Sequence, residues 1–351
     1  MVRWRSLLVG GAISAICIAL LLRSVDLEKT GESFARADVR WLLVALACIG
    51  GSLFMRCWKW QLLFLPDDRI SLGGSFNAAL IGYMFNTVLP GRVGELVRAT
   101  LISRTEGVGV TRALGTIFIE KILDILVLLA LLGMLVLVSP LPAWITAAGV
   151  TASVAFISLA VVFFGLSGAR AQTVVFVQRR IDPLPAARRV RPSRFVDALL
   201  GSARSLSRPN LILLQLLTSA GLWAFSWLTA AAALRAFHVD VPWTAVTLLI
   251  VTTNLGMTVP SAPGYIGVYE AVAVSTLAIF GVDPGPALGV ALALHVLGFG
   301  SFTVIGAILL FMGLAQGRFT VSGLLSRSTA AAGTSTPTAN TMGTTPQGAA
   351  S

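Results

Sequence analysis

The chain has 351 residues, of which 56% are apolar and only 12% charged, and its mean hydropathy is +0.86. Soluble domains carry about 25% charged residues, so this composition excludes a soluble globular enzyme, a disordered protein and a nucleic-acid-binding domain. The net charge of +11 does not reverse that reading, because 23 of the 26 basic residues are Arg placed between apolar runs, the charge pattern of cytoplasmic membrane loops.

Residues 7–22 are apolar, with Arg3 and Arg5 before them and Arg23 after. The run resembles a signal peptide, but the one AxA triplet, Ala35-Arg36-Ala37, stands too far beyond it for cleavage. It reads as an uncleaved first span with a cytoplasmic N-terminus. Residues 41–65 form the second span, whose Arg56, Lys59, Trp41, Trp58 and Trp60 read as an interfacial belt. Residues 71–89 are apolar until Pro90 and Gly91 interrupt them. Residues 112–138 and 144–166 are the next spans. Residues 167–209 hold nine Arg against Asp182 and Asp197 and read as a solvated basic loop in the cytoplasm. Residues 210–234 cross again. Residues 241–259 end at Pro260-Ser261-Ala262-Pro263-Gly264, apolar residues resume over 265–280, and 286–314 are the last span. The membrane domain therefore covers residues 1–319. Residues 320–351, rich in Ser, Thr, Ala and Gly, are expected to be a disordered tail. The fold class is all-α, a polytopic membrane bundle.

Two interrupted segments repeat each other. Pro90-Gly91-Arg92-Val93-Gly94-Glu95 and Pro263-Gly264-Tyr265-Ile266-Gly267 with Glu270 share Pro-Gly-x-(Val/Ile)-Gly followed by Glu, 173 residues apart. The three tyrosines of the chain, Tyr83, Tyr265 and Tyr269, lie in these segments. Proline removes a donor and clashes with the preceding turn, so each segment is expected to be two half-helices. Broken backbone at membrane depth is tolerated only inside protein or beside a water-filled cavity. Matching broken segments in two halves are the sequence pointer to a site between inverted repeats. With the N-terminus inside, counting spans brings the first dip in from the side of Arg69, Arg98, Arg104 and Arg112. The second then enters from the opposite side, where Arg235 is the flanking basic residue, and Arg318 returns inside.

Charged residues in these runs mark the candidate site, since each costs about 2.5–3.5 kcal/mol at the centre of a span. Arg92, Glu95 and Arg98, spaced by three, line one side of a half-helix and offer a positive site for an anion, with Glu95 holding the arginine forks. Glu120 and Asp124 share a face of the span at 112–138; Lys121 reaches Asp124, and Arg92 or Arg98 partners Glu120. Glu270 has no Lys or Arg within thirty positions and must find a distant partner, stay protonated or face water. His295, alone in the last span, reads as a satisfied core histidine. Cys17, Cys48 and Cys57 form no CxxC, and there is no P-loop, GxSxG, GxGxxG or metal-ligand cluster. No cofactor, metal or catalytic residue is expected.

The stretch Asn86-Thr87-Val88-Leu89-Pro90-Gly91-Arg92-Val93-Gly94-Glu95-Leu96-Val97-Arg98-Ala99 resembles the signature of the membrane region of lysylphosphatidylglycerol synthases and their stand-alone, flippase-like relatives. Glu120-Lys121-Ile122-Leu123-Asp124 resembles the Glu-Arg-x-x-Asp segment of that family, with Lys where Arg is common. The segment from Pro260 to Glu270 resembles its Pro-Ser-x-Pro-Gly-x-Ile-Gly-x-x-Glu motif. The resemblance spans roughly residues 5–315. It implies a membrane region that moves an anionic, aminoacylated or polyprenyl-linked lipid between leaflets, without the soluble domain that performs aminoacyl transfer. Arg92, Glu95, Arg98, Glu120, Asp124, Tyr265, Tyr269 and Glu270 would form the path, with Pro90, Gly91, Pro263 and Gly264 at the breaks. The expected partners are membrane lipids, with a second copy or a membrane enzyme as further possibilities and no nucleic acid. The expected location is the inner or plasma membrane, with both termini cytoplasmic. The alternatives are an accessory or scaffold protein for a glycosyltransferase or lipid-modifying enzyme, and a membrane-embedded enzyme acting on a lipid-linked sugar.

Overall fold

The computed structural model describes residues 4–89, 93–184, 192–259 and 261–317, and among them the chain is helical with no strand. Helix α1 (Trp4–Ser24) turns by 84° into the short α2 (Leu27–Ala35), whose N-cap Asp26 accepts hydrogen bonds from the Glu28 and Lys29 amides. Helix α3 (Val39–Leu62) crosses the bundle. Then α4 (Leu72–Val88) and α5 (Val93–Glu106) form an antiparallel hairpin, and α6 (Val110–Val138) and α7 (Ala143–Gly168) are long apolar spans. The Arg-rich segment is not an irregular loop. It holds α8 (Arg170–Arg180) and α9 (Pro192–Gly201), tied by an Arg170–Asp197 ion pair of 2.7 Å. Helix α10 (Pro209–Ala236) crosses back. The second hairpin is α11 (Trp243–Gly256) and α12 (Val268–Ala278), and the chain closes with α13 (Pro284–His295) and α14 (Ser301–Ala315).

By length and composition five helices can cross a membrane: α3, α6, α7, α10 and the run from Pro284 to Ala315, with α1 and α2 a sixth if the bent pair is one span. The run from Pro284 is the last span expected from the sequence. A π-helical turn over Val296–Gly300, containing Gly298 and Gly300, joins α13 to α14.

The four hairpin helices are too short to cross. A span needs about 20 residues, whereas α4 has 17, α5 14, α11 14 and α12 11. The ends of the first hairpin meet at the Arg-rich end of the bundle. There Glu106, at the end of α5, accepts hydrogen bonds from the amide and hydroxyl of Ser71, the N-cap of α4 (3.0 and 2.6 Å). At the same end Arg112 pairs with Asp67 and Asp68 and donates to the Gly201 carbonyl beside α9. The second hairpin opens to the other end, where α13 starts against Lys29 of α2 and Arg235 stacks on Trp41 at 5.2 Å. The two hairpins thus enter from opposite ends.

Pro90, Gly91 and Arg92 lie outside the described residues, but the flanks of the first break do not. A Cβ placed on Gly264, in the second break, would lie 3.4 Å from the Thr87 methyl at the end of α4. The tips of the hairpins therefore touch. Helix α1 seals the second tip: the Ser14 hydroxyl accepts from the Ala262 amide at 2.9 Å. The buried apolar side chains divide accordingly. One core joins α10 to α13, and the other joins the first hairpin, α6 and α9.

Candidate functional site

The first hairpin can close only because it lacks side chains where its helices touch. A Cβ on Gly94 would fall 1.9 Å from the Gly82 carbonyl oxygen, and the Gly94 amide donates to Asn86 Oδ1 at 2.8 Å. That contact seats α5 so that Arg98, one and a half turns beyond the break, points into the bundle, where it is 1% exposed.

Four cations and three carboxylates gather there. Arg98 Nη2 lies 2.9 Å from Glu120 Oε2. Arg56, on α3, sits 2.9 Å from Asp124 and 3.4 Å from Glu120, so it offsets the repulsion expected between those two acids on α6. Lys59, fully buried, meets Asp124 Oδ1 at 2.6 Å. Lys121 pairs with Glu95 across to α5 at 3.5 Å. Beneath these, the Arg98 guanidinium lies over the Trp60 ring at 3.7 Å and 5.9 Å from the Tyr83 ring. The Trp60 indole is held by a hydrogen bond to Thr116 at 3.1 Å. Among the described residues, Nε and Nη1 of Arg98 meet no acceptor, nor does the Tyr83 hydroxyl.

Several sequence expectations change here. Arg56 and Lys59 are not interfacial anchors but the counter-ions of α6, and Trp60 is a buried platform rather than a belt residue. Their spacing of three on one face of an apolar span was the available signal. Lys121 does not reach Asp124. Asp124 is taken by Arg56 and Lys59 of α3, and Lys121 turns to Glu95 of α5. Glu95 serves Lys121 on the neighbouring helix. The pairing of Arg98 with Glu120 is as expected.

The second break holds the other candidate residues. Gly264 and Gly267 have φ of +72° and +85°, and Tyr265 has φ of +62°, a strained value for a residue with a Cβ. Glu270 stands at the third position of α12. Its Oε2 accepts from the Gly267 amide at 2.8 Å, a capping box without a hydroxyl. Its Oε1 meets Nδ1 of His295, which supplies the distant partner that no Lys or Arg could. His295 is satisfied, as expected, and Glu270 is the residue that satisfies it. It sits immediately before the π-helical turn, with Tyr269 and Phe299 against its ring at 5.1 and 4.8 Å, and Tyr265 packs on Phe299 at 5.7 Å.

Between the two groupings lies a cavity of about 170 Å³, walled by Tyr269, Phe299 and Phe302 and by the polar side chains of Ser52, Thr253 and Asn254. Ser52 is one turn from Arg56 on the same face of α3, and Phe302 packs on Tyr83 at 5.7 Å. The cavity thus adjoins both sites.

Two opposed, interrupted hairpins meeting over a buried ionic cluster define a polytopic helical membrane protein. The sequence profile of the lysylphosphatidylglycerol synthase TM region matches residues 7–306, and the chain belongs to that family. No curated protein and no solved structure matches it.

Proposed function

We propose that this protein moves a lipid with an anionic headgroup, aminoacylated or polyprenyl-linked among the candidates, between the leaflets of the cell membrane. It performs no covalent chemistry of its own. The observation that carries the reading is Arg98: a guanidinium at membrane depth, stacked on Trp60, with two donors that meet no acceptor, in a cluster with one more cation than carboxylate among the described residues. A fork of fixed donors fits a phosphate bidentately. Helices α5 and α12 both begin at the breaks, so their positive ends converge on the same depth from opposite sides. Arg92 belongs to this reading as a second phosphate ligand, although it lies outside the described residues. An apolar groove of about 450 Å³, lined by Leu132, Ile145, Val251, Val272 and Ile279, runs beside the second hairpin and suits the lipid chain. The Arg-rich hairpin of α8 and α9 is read as cytoplasmic by the positive-inside rule.

The test is transfer of a headgroup-reportable anionic lipid in proteoliposomes. Wild-type protein should equilibrate the lipid across the bilayer. Arg98→Gln should slow it by at least about tenfold, the 1.4 kcal/mol equivalent and the low end of a charged hydrogen bond, at matched protein level. Absence of transfer with phosphatidylglycerol, aminoacylated phosphatidylglycerol and polyprenyl phosphate alike would refute the reading and favour the accessory role.

A further inference from the structure

The half of the bundle around the second break is almost without charge. Helix α11 carries no ionisable residue, α12 carries Tyr269 and Glu270, α13 carries His295, and α14 carries none. On the elements packed against the pair, the other ionisable groups are accounted for. Helix α1 offers Cys17 between its terminal arginines. Lys29 of α2 abuts the far start of α13, and Arg235 of α10 is held over Trp41. Tyr265 packs on Phe299 and Tyr83 on Phe302, while Arg56 and Lys59 of α3 belong to Glu120 and Asp124. Among the described residues, Glu270 and His295 therefore have each other as their one ionisable partner.

We propose that Glu270 and His295 form a proton-binding site that couples the protein's movement to a transmembrane pH difference. The coupling rests on the translocator reading; the protonation does not. Nδ1 and Oε1 hold one proton between them, and a second proton binds at Nε2, drawn from water on whichever side the site faces. With it bound, the pair is a neutral imidazolium–carboxylate couple. Without it, a carboxylate stands with no Lys or Arg in ion-pair distance among the described residues, which is costly at this depth. Histidine is the side chain whose charge changes between about pH 5 and 8. The cavity flanking Tyr269 and Phe299 is polar enough, through Ser52, Thr253 and Asn254, to hold the water that delivers the proton. The pair also joins two interrupted elements. Glu270 caps α12 at the break through the Gly267 amide, and His295 borders the π-helical turn that leads into α14. Proton binding strengthens that tie by adding a positive charge on the imidazole donor to the negative charge already on the Glu270 acceptor, and proton loss weakens it. Helix α14 in turn carries Phe302 against Tyr83, next to Arg98, so the state of the proton site reaches the anion site.

Two variants keep the fold testable. A capping box accepts Gln as well as Glu, so Glu270→Gln retains the Gly267 cap while removing the charge, and His295→Gln retains a hydrogen-bonding side chain. The first measurement is the leaflet ratio of a reportable anionic lipid in proteoliposomes under a one-unit pH difference. One proton per transported lipid gives a ratio of about tenfold for the wild type and an even distribution for both variants. The second needs no lipid transfer: amide exchange of residues 261–270 at about pH 5.5 and about pH 8, the range over which histidine changes charge, corrected for intrinsic exchange. Protection should be higher at the lower pH in the wild type and unchanged in the variants. If the wild type moves no lipid yet its exchange responds and the variants' does not, the proton site stands and the translocator reading falls. If lipid moves without regard to the pH difference and exchange is flat, or responds equally in the variants, the proton site is overturned.

Discussion

Asp124→Asn is the substitution whose consequence follows most directly from the geometry. Asp124 holds two cations, Lys59 at 2.6 Å and Arg56 at 2.9 Å, and they do not lose equally. Arg56 keeps Glu120 at 3.4 Å, and its side chain is 21% exposed. Lys59 is wholly buried and has no second carboxylate within ion-pair distance among the described residues. The loss therefore falls on Lys59. Removing one member of a buried pair costs about 3–5 kcal/mol. At about 2 °C per kcal/mol, the low end for large domains, the detergent-solubilised protein should melt about 6–10 °C lower. Lys59→Met leaves Asp124 paired with Arg56 and should cost about 1–2 kcal/mol, the size of a typical substitution. The double variant then carries no stranded ammonium and should melt close to the Lys59→Met protein, giving a coupling of at least about 2 kcal/mol between neighbouring sites. Fluorescence-monitored thermal unfolding of the four proteins completes the cycle. An Asp124→Asn protein as stable as the wild type, or a double variant as unstable as Asp124→Asn alone, would refute the argument that Lys59 depends on this one carboxylate.

Three further outcomes can be checked. Gly94→Ala should force α4 and α5 apart, because the new methyl meets the Gly82 carbonyl and Asn86; overpacking of about 1–3 kcal/mol or more should show as reduced yield of monodisperse protein. Arg98→Lys keeps the charge beside Glu120 but loses the flat stack on Trp60 and the fork, so lipid transfer should stay well below wild type while abundance recovers relative to Arg98→Gln. Glu106→Ala releases Ser71 at the mouth of the first hairpin, a semi-exposed contact. It should lower the melting temperature by no more than a few degrees at about 1 kcal/mol, with faster amide exchange confined to the start of α4.

The class of protein, the membrane spans and the positions of the two breaks follow from the sequence alone, because each rests on local chemistry. Apolar runs of span length leave water whatever their neighbours do, and Pro-Gly within an apolar run ends a helix or starts one. The repeated motif and the alternation of Arg-rich flanks likewise predict hairpins that enter from opposite sides, since topology depends on span count and charge. Partner choice within the site does not follow, because it depends on how whole helices are rotated against one another. Arg56 and Lys59 end an apolar run as interfacial anchors do, and only the packing of α3 on α6 turns them inward to Glu120 and Asp124. Lys121 and Asp124 are near neighbours along α6, yet partners on the neighbouring helices, Glu95 of α5 and Lys59 of α3, take one each. Glu270 and His295 lie 25 residues apart with a turn and another helix between them. Nothing local joins them; the folding of α13 back along α12 does, and among the described residues each is the ion-pair partner of the other.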